Sequence, residues 1–68
     1  PSFKMLHQLA EIRGEADLLD RMIDEAKLSP QHKKLLKQQQ TEVKEMLAER
    51  FADMGIRVDP DTGEIVEM

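Results

Sequence analysis

The sequence predicts a mainly α-helical fold, an αα-hairpin followed by a short C-terminal β-hairpin, and three observations lead to this prediction. Apolar residues recur at alternating intervals of four and three residues between Met5 and Ala26, which is the pattern of a helix that packs lengthwise against other helices. Ser29 and Pro30 interrupt the helical pattern, because proline disfavours helical geometry in the residue before it. After Gly55 the apolar residues follow the shorter period that is typical of a β-strand.

The size and composition of the chain limit it to a single domain that needs support from another chain. Its 68 residues include 40% hydrophobic and 35% charged residues and no cysteine. Domains this small bury too little surface to be securely folded without a disulfide, a metal or a partner chain. We therefore expect one domain that is stabilised by self-association, with a helical hairpin over residues 1–54 and a β-hairpin or tail over residues 55–68 packed on it.

No stretch of the sequence has the properties of a membrane segment or an export signal. The apolar runs fall well short of the roughly 20 residues needed to cross a bilayer, and the first residues do not form a basic segment followed by an apolar one. The absence of cysteine is compatible with a reducing compartment. The sequence therefore predicts a small, acidic, cytoplasmic protein of net charge -4 that does not interact with membranes.

The first helix is predicted to extend from about residue 3 to residue 28, with Ser2 as its N-cap. Gly14 is the weak point of this helix, since glycine inside a helix costs about 1 kcal/mol relative to alanine. A break at Gly14 would give two short helices in place of one. The spacing of apolar residues continues unchanged from Ile12 to Ala16 across the glycine, and this favours the continuous helix.

The second helix is predicted to extend from about residue 30 to residue 54, and both of its ends carry strong local signals. Ser29 is a good N-cap, Pro30 is preferred at the first helical position, and Gly55 can end a helix in the left-handed conformation. The short connection between the helices predicts an αα-hairpin. A sharp corner with perpendicular helices is the alternative geometry.

The predicted self-association seam consists of the apolar stripes of both helices and one glutamine. Additional apolar residues widen each stripe beyond what one neighbouring helix can cover, which predicts a homodimer that forms a four-helix-like bundle. Gln40 either fixes the register and the number of chains or extends outward from a loosely packed layer. The seam residues are Met5, Leu9, Ile12, Ala16, Leu19, Ile23, Ala26, Leu36, Gln40, Val43, Leu47, Phe51 and Met54. The flanking apolar residues are Leu6, Leu18, Met22, Leu35 and Met46.

The C-terminal segment contains the turn residues of a β-hairpin. Pro60 presets φ for a turn, and Gly63 can adopt the positive φ that such a loop requires. If the loop spans residues 60–63, Val58 lies opposite Ile65 in the paired strands. An isolated two-stranded sheet is only marginally stable, so we expect the segment to pack onto the helices, to pair with a second copy, or to fray.

The sequence contains no recognisable catalytic, cofactor-binding or metal-binding constellation. His7 and Glu11 are four residues apart, a spacing that can present two ligands to one metal ion, but no third ligand is evident. There is no cysteine nucleophile and no glycine-rich phosphate loop, and a two-helix hairpin has little interior in which to shift the pKa of a carboxyl group. We therefore expect a protein that is not an enzyme and that binds no cofactor and no metal.

Lys33, Lys34 and Lys37 form the single basic cluster of the chain. They lie in the first turns of the predicted second helix, where the helix dipole favours anions, so they are candidates for contact with an anion or a nucleic acid. No arginine or aromatic residue accompanies them, however, and lysines on an exposed helix are most often solvated. The sequence therefore predicts a non-enzymatic, oligomerising protein–protein interaction module, a small adaptor or regulator that binds itself and another protein. A nucleic-acid-binding regulator that uses this basic cluster is the alternative.

Overall fold

The structure, a computed structural model, describes residues 2–68 and consists of two helices followed by a small antiparallel sheet. Helix α1 is Phe3–Glu25 and helix α2 is Pro30–Asp53. Strands β1, Arg57–Val58, and β2, Ile65–Glu67, form the sheet. The mainly helical fold and the order of its elements are therefore as the sequence predicts.

Helix α1 begins at the predicted position but ends earlier than the predicted boundary at residue 28. The hydroxyl of Ser2 accepts a hydrogen bond from the N–H of Met5 at 3.2 Å, so Ser2 is the N-cap. At the other end Ala26 is already extended, with ψ 145°. The connection has to reverse the direction of the chain before Pro30 starts the next helix, and residues 26–29 are used for this reversal.

Helix α2 has the predicted caps at both ends, and its last residue lies one position before the predicted boundary at residue 54. The hydroxyl of Ser29 accepts a hydrogen bond from the N–H of His32 at 3.2 Å. At the C-terminus Gly55 has φ 80° and its N–H donates to Ala52 O, while the N–H of Ile56 donates to Phe51 O. This pair of bonds is the Schellman motif, which satisfies the last carbonyl groups of a helix.

Gly14 does not interrupt α1, and an alanine at this position should stabilise the protein. A Cβ built on Gly14 has no atom within 4 Å, and the backbone is helical. We expect Gly14→Ala to raise the free energy of unfolding by about 1 kcal/mol, because alanine loses less backbone entropy on folding. Urea unfolding followed by circular dichroism measures the change. Gly55→Ala is the matched control. A Cβ on Gly55 would also have open space, but the φ of 80° at this residue is unfavourable for alanine, so the free energy of unfolding should fall.

The two helices form an antiparallel hairpin and not a perpendicular corner. Gln40 near the middle of α2 donates a hydrogen bond from Nε2 to the carbonyl oxygen of Ala16 in α1 at 2.8 Å. Near the turn, Lys37 forms an ion pair with Asp24, and at the open end Met5 and Met54 line one shared cavity. Contacts therefore follow the whole length of the hairpin, and the molecule measures 41 × 16 × 14 Å.

The C-terminal β-hairpin has the predicted loop and packs against the helices. Val58 lies opposite Ile65, and the N–H of Asp59 donates to Glu64 O at 2.9 Å. The register shifts by one residue toward the strand ends. Gly63 has φ 77°, as the turn chemistry requires. Of the three expected arrangements for the tail, the structure shows the one in which it packs onto the helical hairpin.

The core of the molecule is small and lies between the helices and the start of the β-hairpin. Its members are all between 6 and 8% exposed, and no large side chain among residues 2–68 is completely buried. The buried hydrophobic residues are Ala16, Ile23, Leu47, Phe51 and Ile56.

Candidate interaction face

The predicted seam of α1 separates into two rows in the structure. Residues seven apart lie nearly on one line along a helix because an α-helix has about 3.6 residues per turn. One row contains Ala16 and Ile23, which face α2 and are 7% and 6% exposed. The other contains Met5, Ile12 and Leu19, which are 54%, 45% and 47% exposed. Within one chain, therefore, three of the seven predicted seam residues of α1 remain exposed.

The β-hairpin covers only one side of the pair of helices. On that side, which we call the covered flank, a cavity of about 390 Å³ separates the helices from the β-hairpin. Its walls include Ala10 and Asp17 of α1, Ala48 of α2, and Val58 and Ile65 of the sheet. None of the exposed-row residues of α1 lines this cavity. Successive helical residues are about 100° apart, so Ile12, two residues after Ala10, and Leu19, two residues after Asp17, lie on the opposite side, which we call the open flank.

Both helices contribute to the surface of the open flank. Helical periodicity places Leu35 and Met46 of α2 on the same side as the exposed row of α1. A second cavity of about 410 Å³ lies on this side, and Met5 and Ile12 line it together with Met54 of α2. We define the open apolar face by its exposed residues, which are Met5, Ile12, Leu19, Leu35 and Met46.

Ion pairs close the covered flank near the helical turn. Lys37 lies 2.8 Å from Asp20 and 3.1 Å from Asp24, measured from Nζ to a carboxylate oxygen. Lys44 lies 3.0 Å from Asp20 and 3.8 Å from Asp17. The hydrogen bonds from Lys37 and Lys44 hold the pKa of Asp20 below its ordinary value of 3.8, and those to Asp20 and Asp24 raise the pKa of Lys37 above 10.5. The two flanks thus differ in chemistry, since ion pairs join the helices on the covered flank, whereas exposed apolar side chains such as Ile12 and Leu19 lie on the open flank.

The lowered pKa of Asp20 predicts that the protein loses stability in acid. The folded state favours the charged carboxylate, so its contribution is complete above the ordinary pKa of 3.8 and is lost as the pH falls through the lower folded-state value. We expect Asp20→Asn to have a smaller loss of unfolding free energy than the wild type between about pH 5 and pH 2. Urea unfolding at each pH measures this. If the unfolding free energy changed equally with pH in both proteins, this prediction would be contradicted. Glu42→Gln, at an exposed position, is the control.

Arg13 connects the helices to the β-hairpin, and the sequence did not reveal this role. Its guanidinium group is almost fully buried and donates to the carbonyl oxygens of Pro60 at 2.6 Å and Asp61 at 3.1 Å. It also forms an ion pair with Asp17 at 3.1 Å. A Cβ on Gly63 would lie 3.1 Å from Nε of Arg13, so the turn passes close to the guanidinium group. Arg13 lies three residues before Ala16, and this spacing places both residues on the same side of the first helix. That position is the one signal in the sequence that could have indicated a buried arginine.

The structure engages most of the predicted basic cluster with α1. Lys37 is paired with Asp20 and Asp24, and Nζ of Lys33 donates to the carbonyl oxygen of Asp24 at 3.0 Å. Lys34 is exposed. Since carboxylates already balance the charge of Lys37, the cluster presents less positive charge to an anion than its sequence suggests. Contact with a nucleic acid stays a prediction that no feature of the geometry favours.

Gln40 and the histidine pair also have structural partners. Gln40 is buried, and its hydrogen bond to Ala16 lies inside one chain, where it ties the two helices in register. His7 and Glu11 are 2.8 Å apart and both are exposed. Residues 2–68 contain no group of three or more side chains placed to hold a metal ion. Within the same residues, neither helix is long and apolar enough to cross a membrane.

Comparison with protein-family models, with curated proteins and with solved structures found no significant match to this chain. The open apolar face is a feature that neither the core nor the β-hairpin explains.

Proposed function

We propose that this protein is a non-enzymatic, oligomerising protein–protein interaction module that acts as a small adaptor or regulator. The observation that carries the proposal is the open apolar face. Five large apolar side chains from both helices lie on one side of the molecule and are each at least 45% exposed. Exposed apolar side chains that share one side of a small protein are typical of an interaction site.

The shape and composition of the face support binding to another helical surface. The exposed row of α1 repeats every seven residues, which is the spacing at which helices pack side by side. Two of the five side chains are methionines, Met5 and Met46. Methionine is unbranched and polarisable, so it can adjust to the shape of an opposing surface.

The polar groups inside the molecule support a binding role over a catalytic one. Arg13 and Gln40 are the buried polar residues among residues 2–68, and both donate to backbone carbonyl oxygens. No buried polar side-chain atom in this range lacks a hydrogen-bond partner. Such groups stabilise the fold and leave no unpaired polar atom aimed at a substrate.

Photo-crosslinking tests the proposed function. A photoreactive amino acid is placed at Ile12 or at Leu19, the chain is produced in its native host, and adducts are identified by mass spectrometry. We expect both positions to crosslink to a protein chain. Leu18 is the matched control, because it is 51% exposed but lies on the opposite side of α1 from α2. Absence of protein adducts from Ile12 and Leu19, or equal adducts from Leu18, would overturn the proposal.

A further inference from the structure

We propose that the cavity of the covered flank binds one small, uncharged, apolar molecule of the size of two fused rings, and that this molecule holds the β-hairpin on the helices. The inference goes beyond the proposed function, because the open apolar face lies on the other side of the molecule. The cavity has a volume of about 390 Å³. Ligand sites commonly have volumes of about 300–1,000 Å³, and an apolar cavity of about 150 Å³ is large enough to bind benzene.

The cavity exists because α1 and the sheet do not touch directly. No Cα of Arg57–Val58 or Ile65–Glu67 lies within 8 Å of a Cα of α1. Strand β1 packs on α2, and β2 pairs with β1. Ile65 lines the cavity from β2 and is nevertheless 59% exposed. A ligand enters past this side chain and fills the space that the sheet leaves beside α1.

Small residues keep the cavity open. Gly63 adopts a positive φ, whereas Gly14 is helical and a Cβ built there has no atom within 4 Å. Glycine inside a helix lowers stability, and neither a turn nor a close approach requires it at this position. The effect of Gly14 on the fold is therefore free volume beside α1. The small residues of the cavity walls are Ala10, Gly14, Ala48 and Gly63.

Arg13 holds the turn of the β-hairpin at a fixed distance from α1. Its guanidinium group donates to the carbonyl oxygens of Pro60 at 2.6 Å and Asp61 at 3.1 Å. A Cβ on Gly63 would lie 3.1 Å from Nε of Arg13. The turn therefore rests on the guanidinium group and cannot move closer to the helix to close the cavity. The apolar contacts that the cavity lacks have to come from a bound molecule.

The lining of the cavity favours an uncharged ligand. Among residues 2–68, the charged residues of the lining are Arg13 and Asp17, which pair with each other at 3.1 Å. In the same part of the chain every buried polar side-chain atom has a hydrogen-bond partner. A charged ligand would lose its hydration in the cavity and would find no unpaired group of opposite charge. The other side chains of the lining that are larger than alanine are apolar, and they are Leu6, Leu47, Phe51, Val58 and Ile65.

A bound molecule stabilises the docked position of the β-hairpin. Because α1, α2 and the β-hairpin all contribute to the walls, the cavity is complete only while the β-hairpin is docked. A ligand that binds this state alone shifts the equilibrium toward it. At twice the dissociation constant of the ligand, local opening of residues 57–67 should become about threefold rarer.

A methyl NMR titration with naphthalene tests the inference. We expect chemical-shift changes at Leu6, Leu47, Val58 and Ile65, which line the cavity. We expect a dissociation constant of about 100 µM, as the usual binding energy per atom of a small ligand gives. The charged analogue 2-naphthoate adds a carboxylate to the same two rings, and we expect it to bind at least about tenfold more weakly.

Two substitutions that fill the cavity provide the matched variants. Gly14→Leu and Ala48→Leu each place a leucine side chain in the cavity, and each should weaken the binding of naphthalene at least about tenfold. Glu49→Leu adds the same side chain at the next position of α2, where the residue is exposed and does not line the cavity. This control should bind naphthalene as the wild type does.

Four results would overturn the inference. They are unchanged methyl shifts in the cavity up to the solubility limit of naphthalene, shifts at Ile12 and Leu19 of the open apolar face instead, undiminished binding by both variants that fill the cavity, and equal binding of 2-naphthoate.

Amide hydrogen exchange of the wild type is a second measurement that needs no variant. Naphthalene at twice its dissociation constant should slow exchange over residues 57–67 about threefold, and unchanged rates would contradict the inference. A photoreactive amino acid at Ile65 tests the other kind of occupant. Protein adducts from this position would assign the cavity to a side chain of a partner protein and would also overturn the inference.

Discussion

Phe51→Ala should unfold most of the protein at room temperature. Phe51 is 8% exposed and lies in the last turns of α2, where α1, α2 and the β-hairpin meet. Removing a buried phenylalanine side chain typically costs about 3–5 kcal/mol, because apolar contacts are lost and a cavity remains. A domain of this size seldom has more than about 3–5 kcal/mol of total stability from a single core. We therefore expect loss of most of the helical circular dichroism signal.

The second phenylalanine of the chain is the matched control for this prediction. Phe3 is 90% exposed in the first turn of α1. Phe3→Ala should change the free energy of unfolding by less than about 0.5 kcal/mol, as is usual for surface positions. Equal effects of the two substitutions in urea unfolding would show that the core does not lie where the structure places it.

Arg13→Met should release the β-hairpin from the helices while the helical hairpin remains folded. Methionine keeps part of the apolar stem of arginine but cannot donate to the carbonyl oxygens of Pro60 and Asp61. A hydrogen bond from a charged group contributes about 1.5–3 kcal/mol, so we expect stability to fall by about 2–3 kcal/mol. Backbone NMR relaxation should show increased motion over residues 56–68 and little change in α1 and α2.

Arg21→Met separates the loss of these bonds from the loss of a positive charge on the same helix. Arg21 is exposed, and its replacement should leave both stability and the motion of the β-hairpin unchanged. If residues 56–68 keep their rigid relaxation behaviour in Arg13→Met, the β-hairpin is held by its apolar contacts, such as those of Ile56, and not by the guanidinium group.

Features that depend on neighbouring residues could be predicted from the sequence. Ser29 and Pro30 start α2, Gly55 ends it, and the loop that ends in Gly63 pairs Val58 with Ile65. In each case a few adjacent residues determine the backbone conformation, because caps and turns are formed by local hydrogen bonds and by local limits on φ. The same reasoning placed the end of α1 too late, since residue types around Ala26 are compatible with a helix and only the reversal of the chain ends it there.

Features that depend on distant residues could not be predicted. The heptad pattern of α1 contains two rows, and the spacing alone does not show that Ala16 faces α2 while Ile12 remains exposed. The role of Arg13 requires the C-terminal turn to return to the first helix, 47 residues away along the chain. The pairing of Lys37 with Asp20 requires the register of the two helices. Each of these contacts is fixed only when separate elements pack together.

The bonds of Arg13 also bear on the order in which the molecule folds and opens. They join residues 47 and 48 positions apart, whereas the cross-helix bonds of Gln40 and Lys37 join residues 24 and 13 positions apart. Closing a longer loop costs more entropy, so we expect the helical hairpin to form first and the β-hairpin to dock last. In the native state the C-terminal segment should then open on its own. Amide hydrogens of residues 57–67 should exchange with solvent by local unfolding while those of α1 and α2 stay protected.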